Sequence, residues 1–135
     1  KTGYIHKSLT DALDGYPQFI EAADGRVTLL PDDFDSRSQA MFDMNADLQE
    51  KGILFKNPWQ SPDEEVYAVG ARDKPPLFKL SRTYVSTYGV THYGVHIVGH
   101  TSTGVWLQRR SQEIAFPVLL DTMAAGGLPY PETVV

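Results

Sequence analysis

Residues 106–127 read WLQRRSQEIAFPVLLDTMAAGG, and this stretch decides the fold of the second half of the chain. It begins inside a predicted strand over residues 105–110, because aromatic and β-branched side chains favour a pleated backbone. The triplet Ser102-Thr103-Gly104 just before it is typical of a tight turn between two strands. We therefore predict a hairpin that joins a strand over residues 91–100 to the strand over residues 105–110.

The first half of the chain is organised around one amphipathic helix, predicted over residues 35–51. Ser36 and Gln39 have the spacing of a capping box, in which each side chain satisfies a free backbone N–H at the start of a helix. Gly52 follows as the expected C-terminal stop. Apolar residues recur at helical spacing and are expected to face a core: Ala40, Met41, Met44 and Leu48.

Shorter elements flank this helix on both sides. They are predicted as a helix over residues 8–13 and strands over residues 26–30, 65–71 and 77–82. Pro129 and Pro131 suit the first turn of a further helix that would begin near the end of the chain. Helices and short strands in this arrangement predict an α+β fold.

Composition excludes several classes of function. The 135 residues are 41% hydrophobic and 21% charged, with a net charge of −5 and no cysteine. Without cysteine there is no disulfide framework, thiolate zinc site or cysteine nucleophile. The acidic balance argues against a nucleic-acid partner, because phosphate contacts need clustered Lys and Arg. We find no apolar run that could span a membrane and no signal-peptide core, so we expect a cytoplasmic protein, or an organellar one after removal of a transit peptide.

Three histidines, His92, His96 and His100, stand four residues apart and raise the question of a metal site. On a helix such residues share a face, whereas on a strand they lie about 13 Å apart. Tyr93, Val95 and their neighbours favour a strand here, so we predict that these histidines hold no common metal ion.

The second half of the chain resembles the Nudix hydrolases. The resemblance rests on Arg109-Arg110-Ser111 at the end of a strand, Leu120-Asp121 after a proline loop, and Ala125-Gly126-Gly127. The Nudix box reads Gly, five residues, Glu, seven residues, then Arg-Glu-x-x-Glu-Glu, and Gly126 and Glu132 fit its opening. Within this family, the chain most resembles the subgroup related to thiamine diphosphate. Members of that subgroup have an accessory N-terminal domain, and further segments of the chain are similar to it: GYPQF at 15–19, the Arg37-containing helix, EVYAV at 65–69, PLFKLSR at 76–82 and YGVTHYGVH at 88–96.

The resemblance implies two domains. Residues 1–85 would form the accessory α+β domain, and residues 86–135 would form the opening strands of a Nudix α/β/α sandwich with a mixed sheet. The chain ends before the Arg-Glu-x-x-Glu-Glu segment, so catalytic and metal-binding residues are expected beyond Val135 and none within the chain. Val118 stands where the subgroup has a glycine after the proline, which predicts a different turn in the loop before the box.

The function that the resemblance implies is hydrolysis of a small molecule that carries a diphosphate, either thiamine-diphosphate-like or nucleoside-diphosphate-like, with Mg²⁺ or Mn²⁺ as cofactor. Arg109, Arg110 and Asp121 are the candidate substrate-binding residues, and Gly126, Gly127 and Glu132 are the opening of the box. A homodimer is compatible with this interpretation, and this chain alone would be inactive. The alternative is a non-catalytic ligand-binding or interaction module derived from a Nudix protein.

Overall fold

The computed structural model describes residues 3–21, 24–55, 66–70, 74–114 and 116–132. Two compact units are present, Lys1–His92 and Tyr93–Val135. The combination of helices with small antiparallel sheets confirms the predicted α+β class. No helix among the described residues is long and apolar enough to cross a membrane.

The first unit contains two helices and two antiparallel strand pairs. Its elements are α1 (Lys7–Leu13), β1 (Phe19–Glu21), β2 (Val27–Leu29), α2 (Phe34–Glu50), β3 (Val66–Val69), β4 (Phe78–Ser81) and a 3-10 turn (Arg82–Tyr84). Strand β1 pairs with β2, and β3 pairs with β4. Both predicted helices and the predicted strands over residues 26–30 and 77–82 are confirmed, and β3 confirms the described part of the strand predicted over residues 65–71. Strand β1 and the 3-10 turn were not predicted.

Helix α2 lies at the centre of this unit because its apolar stripe faces the core. Met41, Met44 and Leu48 are buried as predicted, while Ala40 is only partly buried. The stripe packs on β4, whose Leu80 is fully buried. The rest of the buried hydrophobic core comes from the same unit: Leu9, Leu13, Leu54, Val69, Phe78, Tyr84, Val85 and Tyr88.

The predicted capping box at the start of α2 is wrong. Asp33 is the N-cap, with an extended backbone (φ −106°, ψ 162°) and a carboxylate that accepts a hydrogen bond from the Ser36 backbone N–H at 2.8 Å. The Gln39 side chain instead donates to the Asp43 carboxylate at 2.7 Å. Asp33, three residues earlier, is therefore the N-cap instead of Ser36, because the side chain of either residue type can accept a hydrogen bond from a free N–H at the start of a helix.

Gly52 ends α2 as predicted, and the ending is a Schellman motif. The Gly52 N–H donates to the Gln49 carbonyl at 3.0 Å and the Ile53 N–H donates to the Leu48 carbonyl at 2.9 Å. Gly52 has φ +69°, in the left-handed region that favours glycine.

We expect Gly52→Ala to lower the free energy of unfolding by about 1 kcal/mol, the usual cost of placing a Cβ in this conformation. An added Cβ would meet no other atom within 4 Å, so the backbone conformation alone should account for the loss. Urea denaturation measures it. A matched Gly15→Ala variant, also in open space but without a positive φ, should change stability much less.

The second unit contains four short strands in two antiparallel pairs. They are β5 (Gly94–Ile97), β6 (Leu107–Arg109), β7 (Leu120–Thr122) and β8 (Ala124–Gly127). Strand β5 pairs with β8, and β6 pairs with β7. The buried hydrophobic residues among the described ones all belong to the first unit, so these strands present apolar side chains to the surface.

The hairpin predicted around residues 102–104 is confirmed only at its turn. The Thr101 N–H donates to the Gly104 carbonyl at 2.8 Å, and His100 and Val105 form an isolated antiparallel bridge. Beyond this bridge the strands separate, because β5 takes β8 as its partner. A Cβ on Gly94 would lie 2.9 Å from the Gly126 carbonyl oxygen, so the absence of a side chain at Gly94 allows this close pairing.

The helix predicted to begin at the prolines near the end is not formed in the described residues. Residues 129–132 make a turn in which the Glu132 N–H donates to the Pro129 carbonyl at 2.9 Å. Residues 133–135 lie outside the described part of the chain.

Candidate functional site

The two adjacent arginines predicted to bind substrate lie at the end of β6, where the chain leaves the sheet and returns as β7. The Arg110 N–H donates to the Leu119 carbonyl at 2.9 Å, and the Val118 N–H donates to the Arg110 carbonyl at 3.2 Å. These backbone hydrogen bonds close a loop that we call the proline loop, of which the structure describes residues 111–114 and 116–118.

Both arginine side chains bind the carbonyl oxygens of the returning chain. The Arg109 Nη1 donates to the Val118 carbonyl at 2.9 Å, and the Arg110 Nε donates to the Phe116 carbonyl at 3.1 Å. Guanidinium groups suit this task because they present several donors in a fixed plane. The arginines therefore hold the proline loop in place.

Arg110 also forms an ion pair with Asp121, the third predicted substrate-binding residue. The Arg110 Nη1 lies 2.6 Å from the Asp121 Oδ2, and both side chains are about three-quarters or more buried, with 26% and 19% of their surface exposed. The Thr122 backbone N–H donates to the other carboxylate oxygen at 2.8 Å. The Arg110 guanidinium, and after it the Thr122 N–H, hold the pKa of the Asp121 carboxyl below its ordinary value.

We expect Arg110→Gln to raise the pKa of Asp121 towards that of a free aspartate. Because the pKa is lower in the folded state, the pair stabilises the fold at neutral pH, and this contribution is lost as the pH falls through the lowered pKa. The difference in Tm between wild type and variant should therefore be largest near neutral pH and shrink as the pH falls through the lowered pKa of Asp121. A carboxyl ¹³C titration measures the pKa. Arg26→Gln, which removes an exposed pair with Asp24, should leave Asp121 unchanged.

Val118, which stands where the related subgroup has glycine, has an unusual backbone conformation. Its φ is +56° and that of Phe116 is +55°, both in the left-handed region that favours glycine. A β-branched residue is rarely found there, because its Cβ substituents crowd the backbone. The proline loop thus has the turn that glycine would favour, and it carries local backbone strain of about 1–2 kcal/mol at Val118.

We expect Val118→Gly to relieve this strain and to stabilise the loop by up to about 1 kcal/mol. The gain is smaller than the strain itself, because glycine has more conformational freedom in the unfolded chain, which costs about 0.5–1 kcal/mol. Val118 is 45% exposed, so little packing is lost. The stabilisation would appear as slower hydrogen exchange of the two backbone N–H groups that close the loop, those of Arg110 and residue 118. Leu119→Gly, at an exposed neighbour with no positive φ, should instead speed the exchange.

The residues predicted to open the Nudix box lie in β8 and in the turn that follows it. Gly126 and Gly127 pair with Val95 and Gly94 of β5. A Cβ on Gly126 would meet nothing within 4 Å, so the structure shows no steric demand for glycine there. Glu132 is exposed. Its side chain makes no hydrogen bond or ion pair with the described residues.

His96 and Thr122 are neighbours of Asp121 that the sequence did not reveal. The His96 Nδ1 lies 3.0 Å from the Thr122 Oγ1, across 26 residues of sequence. His96 is on β5, in agreement with the predicted strand. In the described part of the chain, no three or more His, Asp or Glu side chains lie close enough together to hold a metal ion. The nearby Trp106 is 63% exposed.

Comparison with known proteins adds the family. Residues 1–92 match the model of a domain of unknown function, DUF4743. Two proteins of Arabidopsis thaliana, named Nudix hydrolase 20, chloroplastic, and Nudix hydrolase 24, chloroplastic, are 31% and 29% identical over 95% of this chain. An uncharacterized protein of Saccharomyces cerevisiae is 30% identical over 74% of the chain.

This chain spans only part of these relatives, covering 37% and 36% of the two plant proteins and 30% of the yeast protein. The similarity to the plant proteins nevertheless extends through both compact units. The chain belongs to the DUF4743 family and is related to the Nudix hydrolases.

Proposed function

We propose that this chain is part of a Nudix-type hydrolase that acts on a small molecule with a diphosphate group. The observation that carries the proposal is the similarity to two proteins named Nudix hydrolases over 95% of the chain. The spacing of Gly126 and Glu132, which fits the opening of the box, supports it further. For the substrate we keep the two classes predicted from the sequence, thiamine-diphosphate-like and nucleoside-diphosphate-like.

Arg109 is the better candidate for a phosphate ligand of the two arginines. Its side chain donates one hydrogen bond, from Nη1 to the Val118 carbonyl, and makes no other within the described residues. The remaining donors, Nε and Nη2, are at the surface, where a phosphate could accept two parallel hydrogen bonds. Arg110 is engaged by Phe116 and Asp121, so we assign it to positioning the proline loop.

The described residues do not fit a magnesium site by themselves. Mg²⁺ needs several oxygen ligands around one point, and Asp121, the acidic residue nearest the arginines, is already paired with Arg110. No Arg-Glu-x-x-Glu-Glu sequence occurs among the 135 residues. We therefore propose that the Mg²⁺ or Mn²⁺ of the parent protein is held by such a segment, and that this chain contributes substrate contacts and no metal ligand.

The test is hydrolysis of thiamine diphosphate and of a panel of nucleoside diphosphates, measured side by side for this chain and for the longest reading frame that contains it. We expect turnover only in the longer protein, only with Mg²⁺ or Mn²⁺, and none after Glu→Gln changes in its Arg-Glu-x-x-Glu-Glu segment. If the reading frame lacks that segment and neither protein turns over any substrate, the enzyme proposal fails and the binding module takes its place.

We propose two further properties of the parent protein, its compartment and its oligomeric state. The word chloroplastic in both plant names favours the organellar alternative over the cytoplasmic one. Imaging of the tagged parent protein would distinguish the compartments. Sedimentation of the same protein would test the homodimer.

A further inference from the structure

His96 is fixed by one of its two ring nitrogens, and the other is left at the surface. The His96 Nδ1 lies 3.0 Å from the Thr122 Oγ1. The single hydroxyl proton of Thr122 is directed to other oxygens, the Ala124 carbonyl at 3.2 Å and the Asp121 Oδ1 at 3.5 Å. The hydroxyl therefore accepts from His96, which assigns a hydrogen to Nδ1. The His96 side chain is exposed, and its Nε2 makes no hydrogen bond with the described residues.

The face of the sheet that carries Thr122 also carries Arg109. Across an antiparallel pair, residues directly opposite each other share a face, and so do residues two apart on one strand. Thr122 is opposite Leu107, which is two residues from Arg109. Arg109 and Thr122 are therefore diagonal neighbours on one face, where such Cα atoms are typically about 7–8 Å apart. His96 reaches this face through its contact with Thr122, so it lies on the same side as the proposed phosphate ligand.

The two basic groups are separated along β7, which indicates the size of the ligand. The Arg109 Nη1 is held by the Val118 carbonyl at 2.9 Å, before Leu120, and His96 is held by Thr122, after it. A diphosphate offers oxygens to both groups, whereas a single phosphate would reach only one of them. Both groups suit this ligand, because guanidinium and imidazolium donate charge-assisted hydrogen bonds to phosphate oxygens.

We propose that His96 is a second substrate-binding residue beside Arg109. As the imidazolium, it donates from Nε2 to one phosphate of a diphosphate, while Arg109 binds the other. Thr122 is the positioning residue, since its hydroxyl holds the ring by Nδ1 and leaves Nε2 for the ligand. This inference rests on the proposed function, because it adds a contact to the same site.

The affinity of this site should depend on the charge of His96. Histidine normally changes its charge between about pH 5 and 8. Strand β8, which pairs with β5, has no titratable side chain, and Asp121 on β7 is paired with Arg110. The Arg110 guanidinium lowers the pKa of Asp121, so this carboxylate stays charged across that range. A diphosphate should therefore bind most tightly where the ring of His96 is protonated, and more weakly as the pH rises.

The test is isothermal titration calorimetry of the parent protein with methylenediphosphonate, a diphosphate analogue whose P–C–P link is not hydrolysed. In His96→Asn the amide nitrogen takes the place of Nδ1, and nothing replaces Nε2. We expect this variant to bind the probe about tenfold or more weakly than wild type at pH 6, and within about twofold of it at pH 9. The ratio of the two dissociation constants removes the titration of the probe itself.

Further variants locate the effect, with Tm as the check on folding. His96→Gln, whose amide nitrogen takes the place of Nε2, should recover part of the affinity lost at pH 6. His100→Asn, the same change at an exposed histidine outside β5, should bind as wild type does at both pH values. Thr122→Val should weaken binding at pH 6, and Thr122→Ser, which keeps the hydroxyl, should not.

Three results would overturn the inference: no binding by wild type, no loss in His96→Asn at pH 6, or an equal loss at pH 6 and pH 9, which would show a structural role only. Turnover of the substrate panel is scored separately. Turnover without an effect of His96 on binding would overturn this inference alone. Binding that depends on His96, without turnover, would overturn only the enzyme proposal.

Discussion

Replacing Leu48 with alanine should lower the free energy of unfolding by about 2–5 kcal/mol, the largest effect that we expect in this molecule. Leu48 is fully buried in the stripe of α2 that packs on β4. Removing its side chain loses the transfer free energy of the buried carbons and leaves a cavity that the neighbours fill only in part. The Leu48 carbonyl also accepts the N–H groups of Ile53 and Leu54, which limits how far the helix end can move to close the gap.

Urea denaturation of the two proteins measures this loss. Leu30→Ala is the matched control, because the same atoms are removed from a side chain that is 47% exposed, and it should cost less than half as much. Equal losses for the two variants would mean that Leu48 is not at the centre of the core. If the free energy of unfolding changes more or less steeply with urea concentration in the variant, unfolding is no longer two-state and the two values cannot be compared directly.

Helix α2 was predictable because its signals are local. Met41, Met44 and Leu48 follow the helical period, and Gly52 supplies the conformation that ends it. The N-cap was missed for an equally local reason. Asp33 and Ser36 are both good caps by residue type, and the choice depends on where the backbone leaves its extended conformation.

Strand pairing was predicted less well because partners are chosen by contacts between distant residues. The turn at residues 102–104 is visible in the sequence, but β5 pairs with β8 instead of β6. That choice depends on how closely Gly94 can approach Gly126, which no residue pattern near the turn reveals. The contact between His96 and Thr122 was missed for the same reason.

The arginines show how much of the candidate site the sequence contains. Their position at the end of a strand was predictable from residue type and order. Their partners were not, since the carbonyls of Phe116 and Val118 come within reach only when the proline loop turns back. The positive φ of Val118 was not predictable either, because a β-branched residue type favours other backbone conformations.

Replacing Arg109 with glutamine in the active parent protein should lower kcat/KM for the diphosphate substrate by about 10- to 100-fold, the loss expected when a hydrogen bond to a charged group is removed. Glutamine keeps an N–H donor on a shorter side chain and removes the positive charge, so Tm reports any effect of losing the hydrogen bond to the Val118 carbonyl. The measurement is steady-state hydrolysis of the substrate that the panel identifies, with Tm of each variant as the check on folding. Gln108→Ala, at the preceding position and on the opposite face of the strand, should leave kcat/KM within about twofold of wild type. An unchanged kcat/KM in Arg109→Gln would show that this arginine does not bind the phosphate and would overturn our assignment of the two arginines.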